Sequence, residues 1–242
     1  MNETSSIFDV LWFQWIQTFA RYAIFAGGAY LLFWKQFHRR FMARQLYPWP
    51  AKKQVLREIL FSIRTTLVFI VAGAGGYYGV HAGIFKFYWK IEEHGWLWLG
   101  TSVVILILMH DTFFYWVHRW MHHPRIFKAV HRIHHESLNP TPFTALSFDL
   151  SEALIQSLII PLGMLLMPLH GIAIFAFLLF SITTNVYGHL GIDLNRKAHQ
   201  DGILRFMTSP KGHAMHHQKF RGNYGLYFTW WDRWMGTEID RN

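Results

Sequence analysis

Three short runs carry histidines at spacings that bring side chains together. His118-Arg119-Trp120-Met121-His122 places two at i and i+4. His131-Arg132-Ile133-His134-His135 and His213-Ala214-Met215-His216-His217 each place three at i, i+3 and i+4. On a helix those positions share one face. Between the second and third runs His189 opens His189-Leu190-Gly191-Ile192-Asp193. Neutral imidazole suits zinc, copper, iron and nickel. These histidines exceed what one four- to six-coordinate ion can use, so the pattern predicts a metal pair. Iron and zinc both fit an imidazole set at this point. Two divalent ions held by neutral ligands leave positive charge in a low dielectric, so carboxylates are expected close by, accepting the other N–H of the ligand rings. Asp111, Glu136, Asp149 and Asp193 stand in or beside the runs. Asp111 precedes His118 by seven residues and shares its face. Asp193 follows His189 by four and could be a ligand or an acceptor.

The remaining histidines fit plainer roles. His38, His81, His94 and His170 are isolated and read as interfacial polar residues. His110 and His123 adjoin the first run but point off its face. His199 is a candidate for a pocket or structural role.

Such a cluster needs a frame, and the composition indicates which kind. The 242 residues suit one domain. Only 15% are charged, 52% are hydrophobic and 18% aromatic, against about 25% charged in soluble domains. Lipid is the expected solvent for much of the surface. The net charge of +9 then points to cytoplasmic loops beside anionic headgroups and not to nucleic acid. The absence of cysteine excludes disulfides, thiolate zinc sites, iron–sulfur clusters and thiolate haem. The first residues lack the basic start of a cleaved signal peptide, so the apolar stretch that follows is expected to stay as a helix.

Five apolar stretches run over 7–34, 65–85, 96–117, 153–169 and 172–187. The first three are long enough to span a bilayer. The last two are short and carry Pro161 and Pro168, which fits a spanning or re-entrant hairpin over 153–187. The fold class expected is all-α and integral to the membrane, with four or five transmembrane helices and a cytoplasmic helical cap around the dimetal site. Residues 1–242 form one membrane domain, mainly transmembrane over 7–110 and catalytic over 111–242. Segment 35–64 sets Lys35, Arg39, Arg40, Arg44, Lys52, Lys53, Arg57 and Arg64 against Glu58 alone, which predicts a cytoplasmic loop. By parity every dense histidine run falls on that same side. Gly75, Gly79 and Gly83 recur at every fourth residue and predict a close helix–helix contact in lipid.

The runs also carry a resemblance. Asp111–His123 (DTFFYWVHRWMHH), Val130–Glu136 (VHRIHHE), Pro140–Phe148 (PTPFTALSF), His189–Asp193 (HLGID) and the tail with NYGLYFTWWDRWMGT resemble the fatty acid hydroxylase superfamily of membrane di-iron enzymes. The sterol C5-desaturases (lathosterol oxidases) are the most similar subfamily. The likeness covers Asp111–Thr237, about half the chain. It departs where the family often has His-Pro and this chain has Asp149-Leu150. The resemblance implies two iron ions on His118, His122, His131, His134, His135, His189, His213, His216 and His217. It implies O2 as co-substrate, a lipid entering from the bilayer, and a cytochrome b5-like or ferredoxin–reductase electron donor. Asn223-Tyr224-Gly225 and Trp231-Asp232-Arg233 look architectural by the same likeness.

Chemically, removal of a hydrogen from an unactivated carbon needs an oxidant no side chain provides. Return of oxygen to that carbon gives an alcohol; a second hydrogen removal gives an alkene. Exposed basic residues such as Arg119, Arg125, Lys128 and Arg132 could steer an acidic donor or meet headgroups. Phe143, Phe148 and Tyr187 are candidates to line the lipid slot. Two other classes remain. A zinc-dependent lipid hydrolase would work without O2, though no HExxH is present. A non-catalytic metal or haem carrier would leave most of these histidines unexplained. Glu-x-x-His pairs of the carboxylate di-iron type are missing.

Overall fold

A computed structural model describes residues 5–194, 197–198 and 202–239. His199 lies outside them. The regular structure of the described chain is helical, apart from two paired two-residue strands and two isolated bridges, with loops between the helices.

Helix α1 (Ile7–Tyr22) starts at Ser6. The Ser6 hydroxyl accepts the Asp9 N–H, and the Asp9 carboxylate accepts the Ser6 N–H, which satisfies two orphan donors reciprocally. Beyond Tyr22 the chain stays helical to Gln36 but widens to π winding over Ala23–Gly27 and Tyr30–Gln36. Helix α2 (Lys52–His81) packs antiparallel on α1, and α3 (Gly95–Met121) carries the first histidine run. Short helices α4 (Pro124–Val130) and α5 (Arg132–His135) carry the second. The apolar helices α6 (Leu150–Ser157) and α7 (Ile159–Leu166) lead by a tight turn into α8 (Gly171–Gly188), which ends at His189. Helix α9 (Pro210–Lys219) holds the third run, and α10 (Trp230–Trp234) closes the described tail.

Helices α2, α3 and α8 are each long and apolar enough to cross a membrane, and the α6–α7 stretch is shorter. Large apolar side chains face outward along them. Leu97 of α3 is 85% exposed and Leu166 of α7 67%, an arrangement stable only against lipid or a partner. The inner core is small: Leu106, Ile159, Met164 and Phe177 join α3, α7 and α8. Strands β1 (Phe87–Tyr88) and β2 (Leu169–His170) pair in parallel, with Phe87 opposite Leu169. They tie the α2–α3 and α7–α8 connections together at the end of the bundle away from the histidine runs.

The glycine stripe does something other than the spacing predicts. Helix α2 stops at His81, so Gly83 lies in a turn at φ +72°. Gly79 receives the Phe85 ring, which folds back where a Cβ would stand at 2.3 Å, while nothing lies within 4 Å of that position on Gly75. Gly73 is the close approach between helices, where Gln14 of α1 lies against it.

Candidate metal centre

The described histidines of the three runs and His189 converge into two groups. His118, His122, His131, His135 and His216 form one; His134, His189, His213 and His217 form the other. Within each group one ring nitrogen per residue lies within 4.8 Å of all the others. The groups adjoin: the His135 ring centre is 4.7 Å from that of His217. All nine rings are buried or nearly so.

Backbone carbonyls fix how the rings point. His118 Nδ1 donates to Tyr224 O at 2.8 Å, His189 Nδ1 to Asn185 O at 2.8 Å and His216 Nδ1 to Gly222 O at 2.7 Å. His134 Nδ1 faces Ser147 O at 3.4 Å. A carbonyl only accepts, so each of these neutral rings carries its proton on Nδ1 and turns a bare Nε2 lone pair inward. The Nε2 atoms of His134 and His189 stand 3.3 Å apart with no proton between them. The buried Nε2 of His216 has no hydrogen-bond partner. Facing lone pairs repel, and an unpaired buried acceptor is costly. A cation in each group removes both penalties, so the donor set fits two imidazole-bound metal ions.

Burial keeps these rings neutral. Desolvation, then the neighbouring imidazoles, hold His131, His134, His135, His213 and His217 well below the usual histidine range. Desolvation lowers His216 and His189 to about 4, each partly offset by its carbonyl bond. Neutral imidazole is the form that ligates metal.

The parts that hold the rings come from all along the chain. Loop 220–225 supplies the carbonyls of Gly222 and Tyr224. Its path needs left-handed backbone at Phe220, Gly222 and Asn223. Asp232 clamps it, accepting from Tyr224 N at 2.9 Å and Gly225 N at 2.7 Å. Asn223 bridges Gly212 O and the Ile239 backbone. The His189 loop is pinned by Trp34, whose indole N–H donates to Leu190 O at 2.8 Å. Gly191 is required there: φ is +70°, and a Cβ would lie 2.7 Å from Trp34 and 2.9 Å from Pro140 O. Helix α2 holds Pro140–Phe148 through Ser62 to Phe143 O at 2.9 Å and Thr141 to the buried Glu58 at 2.5 Å.

The carboxylate on a ligand ring is Glu152, which the sequence reading did not single out. Its Oε2 lies 2.8 Å from His131 Nδ1, with both side chains 1% exposed. Of the other expected acids, three take different partners. Asp111 accepts from Tyr227 N and Phe228 N at 2.9 and 3.2 Å. Asp149 caps α6 through Ser151 and pairs with Arg64 at 3.6 Å. Asp193 is buried, and its Oδ1 has no hydrogen-bond partner. Glu136 pairs with Arg57 at 3.1 Å. His123 caps α4, while His38, His81, His94 and His170 pack on aromatic rings elsewhere.

A cavity of about 490 Å³ runs between α1, α2, α3, α6, α7 and α8. Phe148 and Phe114 are on its wall, and their rings pack on His134 at 5.3 Å and His118 at 4.9 Å. At the far end it reaches Phe87 and Trp89 near the strand pair. Phe143 packs between Tyr22 and Tyr30 instead, and Tyr187 is not on the described wall.

The profile of the family described as fatty acid hydroxylase matches residues 103–237. A Delta(7)-sterol 5(6)-desaturase of Gibberella zeae is 32% identical over 88% of this chain and 64% of its own length. The lathosterol oxidase of Mus musculus is 32% identical over 79% and 63%. Methylsterol monooxygenase 1 of Rattus norvegicus is 33% identical over 58% and 46%. The chain thus spans just under two thirds of the length of the first two relatives. No solved structure matches it. With a family match that spans every histidine run and the loops that orient them, the chain belongs to the fatty acid hydroxylase family.

Proposed function

We propose that this chain is an integral membrane oxidoreductase that uses O2 and external electrons to desaturate or hydroxylate a C–H bond of a sterol-like lipid. One observation carries the reading: inward-turned Nε2 lone pairs, which neutral imidazoles cannot satisfy among themselves, adjoin one end of a mostly apolar cavity. The names of the relatives, sterol desaturases and a sterol monooxygenase, supply the lipid class.

In this reading the group of five histidines holds one iron ion and the group of four holds the other. Bound iron supplies the oxidising chemistry with O2 that side chains lack. The chain's own residues do the rest. The carbonyls of Tyr224, Ser147, Asn185 and Gly222 and the Glu152 carboxylate aim the ligand nitrogens. Phe114 and Phe148 stand where the cavity meets the rings and orient a lipid toward them, which is a positioning task. Apolar walls keep water from the reacting carbon.

Residues 1–242 act as one membrane unit, with 7–110 mainly transmembrane, 111–242 catalytic and 153–187 an inserted hairpin. The excess of basic residues over 35–64 supports a cytoplasmic histidine centre. Arg119, Arg125, Lys128 and Arg132 are exposed near it and offer a landing surface for an acidic donor such as a cytochrome b5-like protein or a ferredoxin. The test is a comparison, by mass spectrometry, of lipid extracts from cells with and without the gene. A lipid that gains one oxygen atom or loses two hydrogens supports the reading; identical extracts overturn it.

A further inference from the structure

The metal centre leaves buried polar groups of the cavity unused. Gln156 of α6 is 7% exposed and is on the cavity wall, where neither its Nε2 nor its Oε1 makes a close hydrogen bond and only the His110 ring lies near enough to interact with it. It follows Glu152, the acceptor for His131, by one helical turn, a rise of about 6 Å. His110 is on the same wall, and its Nδ1 is bound to the Tyr227 hydroxyl at 2.7 Å. His110 precedes His118 by eight residues, about 12 Å along α3. Apolar side chains surround the pair: Phe114, Phe148, Phe177 and Leu226.

A polar side chain kept unpaired inside a membrane-spanning frame is expensive and marks a functional position. A ligand that restored the missing bonds would need to both accept from the amide N–H and donate to the amide oxygen. A neutral hydroxyl does both, a carbonyl only accepts, and a hydrocarbon does neither. An anion would be drawn elsewhere, to Arg21 of α1, the one charged side chain among the described wall residues.

We propose that Gln156, with His110 beside it, is a hydroxyl-binding subsite that fixes how far along the lipid the histidine centre acts. The inference rests on the cavity being the lipid site. It makes the reactive carbon one that lies on the order of 10 Å or less from a hydroxyl, the span of one to two helical turns. Gln156 is a positioning residue here: it holds the lipid and takes no part in the bond-breaking step.

The test measures binding without turnover. The full chain, iron-loaded and kept free of O2 and reductant, is titrated with 5α-cholestanol, 5α-cholestane and oleate in competition with a fluorescent sterol. Cholestanol should bind about tenfold more tightly than cholestane, the worth of one well-made hydrogen bond. Gln156→Met, nearly isosteric, should bring the two within about twofold. Gln14→Leu, on the same cavity wall near Gly73, should keep the preference. Because the amide makes no close hydrogen bond in the empty protein, Gln156→Met should leave the metal content unchanged and the melting temperature close to that of wild type; Gln156→Leu repeats the test if that variant is poorly made. A preference that survives Gln156→Met, vanishes with Gln14→Leu, or is absent from the wild type overturns the subsite. So does tighter binding of oleate than of cholestanol. Failure to bind any of the three lipids overturns the cavity reading itself, whereas sterol binding without hydroxyl preference overturns only the subsite.

Discussion

Replacing Glu152 by Gln should weaken metal binding without weakening the fold. Glu152 Oε2 accepts from the ring of His131 at 2.8 Å, while Oε1 is buried without a partner. The carboxylate holds the ring's tautomer and adds negative charge beside the five-histidine group. Losing such a partner typically costs ten- to a hundredfold in metal affinity, about 1.4–2.7 kcal/mol. In the metal-free protein burial, then the nearby Asp149, pushes the Glu152 carboxyl well above the usual carboxylate range. The substitution then exchanges one neutral buried side chain for another, and the amide oxygen can still accept from His131. The chelated Glu152→Gln protein should therefore melt at about the same temperature as wild type. Iron titration against a competing chelator reads the first effect, and the melting temperature of chelated protein reads the second. Unchanged affinity with a lower melting temperature would refute the role given to Glu152 and make it a purely structural residue.

Three further outcomes follow from the geometry. His134→Ala and His216→Ala, one in each group, should each lower the bound iron from two ions toward one and abolish lipid oxidation; full activity in both would contradict the ligand assignment. Gly191→Ala places a Cβ against Trp34 and Pro140 O at positive φ; it should cost about 1–3 kcal/mol from backbone strain alone and loosen the His189 group first, seen as a lower melting temperature and reduced iron. In metal-free protein His216 and His189 titrate near 4 when folded and near about 6.5 when unfolded. The depressed folded values give stability that is complete above about pH 6.5 and is lost as pH falls toward about 4; denaturant melts of chelated protein across that window check it, and a flat profile would refute it.

Much of the centre was legible because helical spacing is a local property. The i, i+3, i+4 runs at His131 and His213 name their own shared face, and the structure brings all three runs and His189 together. The acceptors for the rings were mostly not legible. Four of them are backbone carbonyls, which every residue has, and their placement depends on the path of loop 220–225 and on helix ends far away in sequence. Glu152 did leave a signal: it is a lone acid at the edge of the apolar stretch over 153–169, where a charge needs a reason. Asp111 shares the face of His118 as its spacing predicts, but the nearest donors there are the N–H groups of Tyr227 and Phe228. The glycine stripe misled because periodicity does not show where a helix stops; α2 ends before Gly83. The cavity was invisible as well, since its wall combines single residues from separate helices, Gln156 and His110 among them.

The central claim is that two histidine-bound iron ions oxidise a lipid held in the cavity. The most direct measurement loads the purified protein with iron under anaerobic conditions, counts the bound ions, and then adds chemical reductant, O2 and the lipid extract. The account predicts two iron ions per chain, matching the two histidine groups, and O2 uptake with a lipid that has gained an oxygen atom or lost two hydrogens. A chain that binds its full iron yet oxidises no lipid, with any donor, would contradict it.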